Sequence, residues 1–243
     1  MNPLFLSIII PAYNEERRLP VYLARVLEYL EQQDILYEII VVDDGSHDAT
    51  AEVVARFMQE NINVKLIRLP CNRGKGNAVR TGMLQASGNL LLFADADGAT
   101  PITELERLRK AIDSGADVAI ASRAMKDDSC TVSAHLHRRV IGRVFHFIVT
   151  TLTVKGIHDT QCGFKLFTAE AAQAVFPLQR IDDFGFDVEI LYLSQRNGYR
   201  IAEVPVNWTD IAGSKVSLVR DPLRMFLDIF RIRLNDLRGA YRD

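Results

Sequence analysis

Short, almost unbroken apolar runs alternate with amphipathic stretches through the first half of this chain, and that alternation limits the fold more than any other feature. Leu4 to Ile10 (LFLSIII), Glu38 to Val42 (EIIVV), Val64 to Leu69 (VKLIRL), Asn89 to Ala94 (NLLLFA) and Asp117 to Ala121 (DVAIA) have strand length. They are too apolar for a solvated face, as expected of strands covered on both sides. Between them, Leu19, Leu23, Val26, Leu27 and Leu30 keep helical spacing, and Pro20 suits a first helical turn. Ala49 to Glu60, Asn77 to Ala86 and Ile102 to Ser114 also read as helices. Repeated strand-to-helix order predicts an α/β fold, a mostly parallel sheet with helices on both faces. Such sheets bind ligands at the carboxyl ends of their strands.

Beyond Arg123 the pattern is less regular. Met125 to Ser133 reads as a mobile loop, 137–154 as a helix, 164–167 as a short strand, 186–195 as a helix and 199–206 as a strand. A final amphipathic helix begins at Pro222. With no repeat or linker, one domain is expected over 1–243: a first half to residue 123, a second half over 124–220, and a C-terminal helix over 221–243. Hydrophobic residues at 48% give ample material for a core, and a net charge of −2 argues against a general nucleic-acid binder. Cys71, Cys130 and Cys162 form neither a metal-ligand spacing nor a disulfide framework, so a reducing cytosol is expected. The opening segment reads as a buried strand rather than a signal peptide, and no stretch approaches the roughly 20 apolar residues of a membrane span.

Polar motifs fall at four predicted strand ends: PAYNEE (Pro11 to Glu16), DDGS (Asp43 to Ser46), DADGATP (Asp95 to Pro101) and Ser122-Arg123. Any one of them could be a turn or a helix cap. Together they would converge on one crevice. Asp95 and Asp97, with Ala96 between them, put two carboxylates just past a buried strand, which calls for a counter-charge. Mg²⁺ or Mn²⁺ would supply it, since such ions take one or two carboxylates plus substrate phosphates. RGKGNAVRTG (Arg73 to Gly82) is neither a P-loop nor a dinucleotide fingerprint, yet a basic glycine-bearing loop opening a helix suits a diphosphate.

Taken together, IIIPAYNEE, VVDDGSHDAT, NRGKGNAVRTG, the D-x-D of FADADGATP, Ser122-Arg123, DTQCGFKLF, FGFDVEI and GSKV resemble the inverting family 2 glycosyltransferases of GT-A fold. The likeness spans almost the whole chain. Within the family it points to the polyprenyl-phosphate branch, with dolichyl-phosphate β-glucosyltransferases most similar and the mannosyltransferases near. The resemblance implies that Pro11, Ala12, Tyr13, Glu15, Asp43 and Asp44 cradle the nucleotide, while Lys75 and Gly76 line its site. It implies that Asp95 and Asp97 hold the metal-diphosphate, and that Ser214 and Lys215 close over the diphosphate. Arg123 and Lys165 would meet the acceptor phosphate, and Asp187 stands where relatives carry a catalytic carboxylate.

The implied reaction moves a hexose, glucose from UDP-glucose, onto a polyprenyl phosphate. The alternatives are a GDP-mannose donor, a soluble sugar acceptor and, ranked lowest, a sugar-phosphate nucleotidyltransferase. A phosphate acceptor already carries anionic oxygens, so positioning and charge neutralisation should outweigh a general base. Asp187 then reads as a base or an orienting group. A lipid acceptor implies peripheral contact with a membrane, expected on its cytoplasmic face. Two segments suit it. In 139–153, Arg139, Arg143 and His146 share a face opposite Val140, Val144, Phe147 and Ile148. In the last helix, Leu223, Phe226, Leu227, Phe230, Leu234 and Leu237 lie opposite Arg224, Arg231, Arg238 and Arg242. The competing expectation is that each apolar face packs on the core.

Overall fold

The computed structural model describes residues 5–125, 127, 129–133, 153–211 and 220–242, with the side chains of 133 and 220–222 excepted. The expected strands and helices of the first half are present: β1 (Phe5–Ala12), α1 (Leu19–Glu31), β2 (Leu36–Asp43), α2 (Thr50–Glu60), β3 (Val64–Arg68), α3 (Lys75–Gln85) and β4 (Leu90–Ala94). A 3₁₀ turn (Ile102–Glu104) leads into α4 (Leu105–Asp113) and then β5 (Val118–Ser122). The second half adds β6 (Val132–Ser133), β7 (Phe164–Thr168), α5 (Ala169–Val175), α6 (Phe186–Arg196), β8 (Ile201–Pro205), β9 (Trp208–Thr209) and α7 (Arg220–Leu237).

Seven strands form one sheet in the order β3-β2-β1-β4-β7-β5-β8. Alternate residues of its central strands feed two separate cores, because helices cover both faces. Ile9, Leu91 and Phe93 pack with α3, α5, α6 and α7 on one side. Ile8, Ile10, Leu92 and Ala94 pack with α1, α2 and α4 on the other. This two-sided burial is why the runs are apolar without alternation.

One strand departs from the parallel order. β7 lies between β4 and β5 and runs antiparallel to both, pairing Ala94 with Phe164 and Ile120 with Lys165. It therefore brings its beginning, rather than its end, to the edge where β1, β2, β4 and β5 terminate. That reversal carries residues 159–163 into the crevice. The expected loop over 125–133 is corrected in part: Thr131 accepts a hydrogen bond from Trp208 N–H, and β6 pairs with β9 in parallel. The expected helix over 137–154 lies outside the described residues for most of its length.

The face of α7 settles one alternative. Ile229 and Ile232 are its core contacts, while Leu223, Leu227, Phe230, Leu234 and Leu237 are between 43% and 80% exposed. The leucine-rich stripe points away from the protein. Phe226 is half-buried and stacks edge-on against Phe230 with centroids 5.1 Å apart. Among the described residues, no helix is long and apolar enough to cross a membrane.

Candidate active site

The four motifs meet at one edge of the sheet. Past β1, Asn14 takes a left-handed conformation (φ 53°) that turns the PAYNEE segment over the end of β2. Backbone N–H groups of Asn14 and Glu15 donate to Ser46 Oγ (2.9 Å) and Thr50 Oγ1 (2.8 Å), and His47 N–H donates to Asn14 Oδ1 (2.9 Å). The first two strand ends are thus sewn together, with the Tyr13 ring edge-on to His47. Pro11 and Ala12 are the last residues of β1 and are buried.

Asp43 and Asp44 are both buried, with different partners. Asp43 Oδ1 accepts from Ser46 N–H (2.9 Å), and Oδ2 faces Arg68 Nε at 3.5 Å without a hydrogen bond. Asp44 accepts from the N–H groups of Arg73 and Gly74, each at 2.9 Å. Burial holds the Asp44 carboxyl above its usual range despite those two bonds. Asp44 therefore shapes the basic loop directly. Gly74 (φ 105°) turns that loop into α3, whose first residue is Lys75. Gly76 has no room for a side chain, because a Cβ would sit 2.7 Å from Ile181 O and from Phe186 Cβ. It is a packing glycine.

Asp95 and Asp97 follow β4 as expected, and each faces a protein cation. Lys75 Nζ lies 2.6 Å from Asp95 Oδ1, and Arg18 Nη1 lies 3.7 Å from Asp97 Oδ2. Arg18 is itself clamped by Glu15, with Nε donating to Oε2 at 2.7 Å and Nη2 bonded to Oε1. Glu15 is thereby committed to Arg18. Asp97 Oδ1 accepts from Ala99 N–H at 3.0 Å. Burial first, and then the charge of Asp95, push the Asp97 carboxyl above its ordinary value. Burial opposes the charge on Lys75, but Asp95 and Asp187 outweigh it and hold the ammonium above its usual range.

The segment leading into β7 contributes what the sequence did not show. Gly163 O accepts from Asp95 N–H at 2.9 Å, and a Cβ on Gly163 would overlap the Asp95 carboxylate. Asp159 receives Arg123 through Nε (2.7 Å), Nη2 (2.8 Å) and the backbone N–H (2.9 Å). The Arg123 guanidinium also lies over the Trp208 ring at 5.3 Å. Burial raises the Asp159 carboxyl, yet Arg123 outweighs it and holds it down to about 2. Glu203 of β8 fixes this corner, accepting from Ser122 Oγ (2.6 Å), His158 N–H (2.9 Å) and Asp159 N–H (2.8 Å).

Lys165 stands elsewhere than expected. It is wholly buried, bonded to Asp187 and to Cys162 O (2.7 Å), with Nζ 5.0 Å from the Phe93 ring centre. In this structure it presents no surface to an incoming phosphate. Asp187 is equally buried, and burial pushes its carboxyl up against the pull of Lys165 and Lys75. Ser214 and Lys215 lie outside the described residues. Arg18, Asp159, Gly163, Glu203 and Trp208 carry no local mark of a role in the sequence, although Asp159 and Gly163 sit inside the DTQCGFKLF motif.

No group of three or more His, Cys, Asp or Glu able to hold a metal occurs among the described residues. Asp95 and Asp97 offer two carboxylates, partly exposed at 36% and 24%, beside the N-terminus of α3. That set fits an ion completed by substrate phosphates and water, the usual arrangement for Mg²⁺.

Residues 7–176 match the family model described as glycosyl transferase family 2. Dolichyl-phosphate beta-glucosyltransferase of Homo sapiens is 43% identical over 250 residues, covering 98% of this chain and 77% of its own. That of Dictyostelium discoideum is 43% identical over 254 residues, covering 100% and 78%. Glucosyl-3-phosphoglycerate synthase from Mycobacterium tuberculosis, solved with Mn²⁺, uridine diphosphate and glucosyl-3-phosphoglycerate, superimposes with a TM-score of 0.70 at 17% identity. The match covers 96% of this chain and 79% of that one, and supports the fold.

Proposed function

Since the chain belongs to glycosyl transferase family 2, we propose that it transfers glucose from UDP-glucose to dolichyl phosphate or a related polyprenyl phosphate. The observation that carries this reading is the near full-length likeness to dolichyl-phosphate beta-glucosyltransferases. The crevice agrees with it, joining a carboxylate pair to Lys75 on one side and Arg123 on the other.

A β-linked product from an α-linked donor requires attack on the sugar's anomeric carbon from the face opposite the diphosphate. An oxygen anion of the acceptor phosphate forms the new C–O bond as the bond to UDP breaks, so no proton needs to be removed. Mg²⁺ or Mn²⁺ held by Asp95 and Asp97 would neutralise charge on the departing diphosphate. Pro11, Ala12, Tyr13 and Asp43 flank the nucleotide, Asp44 forms the basic loop around it, and Ser214 and Lys215 close over the diphosphate. Arg123, aimed by Asp159 and Trp208, receives the acceptor phosphate in a fixed orientation. Asp187 acts from beneath as a positioning residue, holding Lys165 and the charge of Lys75 in place.

The enzyme works at a membrane surface, with α7 as one contact. Its exposed leucines and Phe230 would enter the interface, and Arg224, Arg231 and Arg238 would meet anionic lipid heads. Arg224 also lies 3.6 Å from Asp183, next to the loop that touches Gly74 and Gly76. This links the proposed lipid contact to the donor site. The three free cysteines fit the reducing, cytoplasmic side of that membrane.

The test is transfer itself: protein, Mn²⁺ or Mg²⁺, UDP-glucose or GDP-mannose, and a short polyprenyl phosphate. A β-linked glucosyl lipid, lost in Asp97→Ala, is expected. A mannosyl lipid alone would replace the donor assignment, and no lipid-linked product with either donor would overturn the reading.

A further inference from the structure

We infer that Lys75 is the resident counter-ion of Asp95, released to a divalent cation only when a nucleoside diphosphate arrives to receive the ammonium. The inference rests on the metal-dependent donor site proposed above. It concerns the order in which that site fills.

The two carboxylates do not wait for a metal to be neutralised, because Lys75 and Arg18 already face them at 2.6 Å and 3.7 Å. The two cations differ in freedom. Arg18 is locked by its paired bonds to Glu15, and its nearest nitrogen to Asp97 makes no hydrogen bond. Lys75 is a flexible side chain whose short contact among the described residues is with Asp95, one of the two carboxylates that would hold a metal. A dication held by the Asp95 carboxylate would strongly repel an ammonium held by the same carboxylate at this depth, where Lys75 is only 18% exposed. One must leave.

Among the described residues, the other acids near Lys75 already face cations of their own, Asp97 facing Arg18 and Asp187 facing Lys165. The Phe186 ring lies 5.8 Å from the Lys75 nitrogen. A diphosphate changes that balance. Lys75 is the first residue of α3, so phosphate oxygens drawn to that helix N-terminus would offer Nζ new anionic partners. Metal and nucleotide should therefore each strengthen the other's binding by the same factor.

Mn²⁺ binding, read from the spectrum of the free ion by electron paramagnetic resonance, tests this without donor sugar, acceptor or turnover. Wild type should bind Mn²⁺ weakly alone and tightly with UDP. Lys75→Met should bind Mn²⁺ alone at least about tenfold more tightly, since a charge-assisted contact no longer competes. Lys75→Arg, which keeps the charge, should remain weak. Unchanged or weaker binding in a folded Lys75→Met protein, with UDP still tightening Mn²⁺ in wild type, would overturn the inference and leave the donor site standing. No Mn²⁺ binding by wild type even with UDP would overturn both. Should Lys75→Met fail to fold, ¹⁵N spectra of the wild-type lysine ammonium groups decide the same question. The Lys75 signal should move with Mg²⁺ and UDP together and hold with Mg²⁺ alone; equal movement with Mg²⁺ alone would refute the inference.

Discussion

Lys165 and Asp187 form an ion pair whose side chains are 0% and 2% exposed, between the middle of the sheet and the first turn of α6. Removing one partner leaves the other charged and buried without its counter-ion, which costs about 3–5 kcal/mol. Asp187→Leu and Lys165→Met singly should each lower stability on that scale in urea denaturation. The double variant should recover much of the loss, because an apolar pair can replace a buried ion pair. Additive losses would mean that the two charges are not coupled.

The Gly163 position makes a sharper demand on the site. Gly163→Ala places a methyl group against the Asp95 carboxylate, which meets it before any other group. The protein should fold, and Asp95 should be pushed from its place. Calorimetry with Mn²⁺ and UDP should show affinity reduced about tenfold or more, of the order expected when one charge-assisted contact is lost. Wild-type affinity would show that Asp95 does not need its present geometry.

Much of this site was legible because it depends on local runs. β1, β2, β4 and β5 are buried on both faces over most of their length, so they stand out, and the motifs after them must share one edge once the strands are parallel. The direction of β7 was not legible. A five-residue run FKLFT carries no mark of orientation, and its reversal is what brings Asp159 and Gly163 beside Asp95 and Arg123. The lysine in that run reads as a polar residue that would seek solvent, whereas the structure buries it on a partner 22 residues away. Strands of two residues, such as β6 and β9, show no period at all. Arg18 reads only as the residue ahead of α1, since nothing local reveals a contact with Asp97. Asp95-x-Asp97 did signal a need for counter-charge, but the cations already present came from Lys75 and Arg18 through long-range packing.

Acid should expose the Arg123–Asp159 pair. The Asp159 carboxyl is held down to about 2, below an unfolded value near 4, so its contribution to stability is complete above that value. It fades as pH falls from about 4 towards 2. The size of this pH-dependent part is about 2 kcal/mol, from 1.36 kcal/mol per unit. Asp159→Asn removes it. Stability measured in urea should separate wild type from variant most clearly above pH 5, and the gap should narrow by about that amount between pH 4 and pH 2. A gap constant across that range would contradict a depressed Asp159.

The stripe on α7 separates membrane affinity from folding. Leu227 and Phe230 are at least half exposed, whereas Ile229, between them in sequence, is fully buried. Leu227→Ser with Phe230→Ser should leave the thermal midpoint nearly unchanged, since surface substitutions usually stay within about 0.5 kcal/mol each. Burying two such side chains in a lipid interface is worth roughly 2–4 kcal/mol, so flotation on anionic vesicles should weaken by more than about tenfold. Ile229→Ala should do the reverse, lowering the midpoint through a core cavity while any protein that remains folded still floats. Equal flotation by wild type and the double serine variant would mean that α7 does not supply the membrane contact.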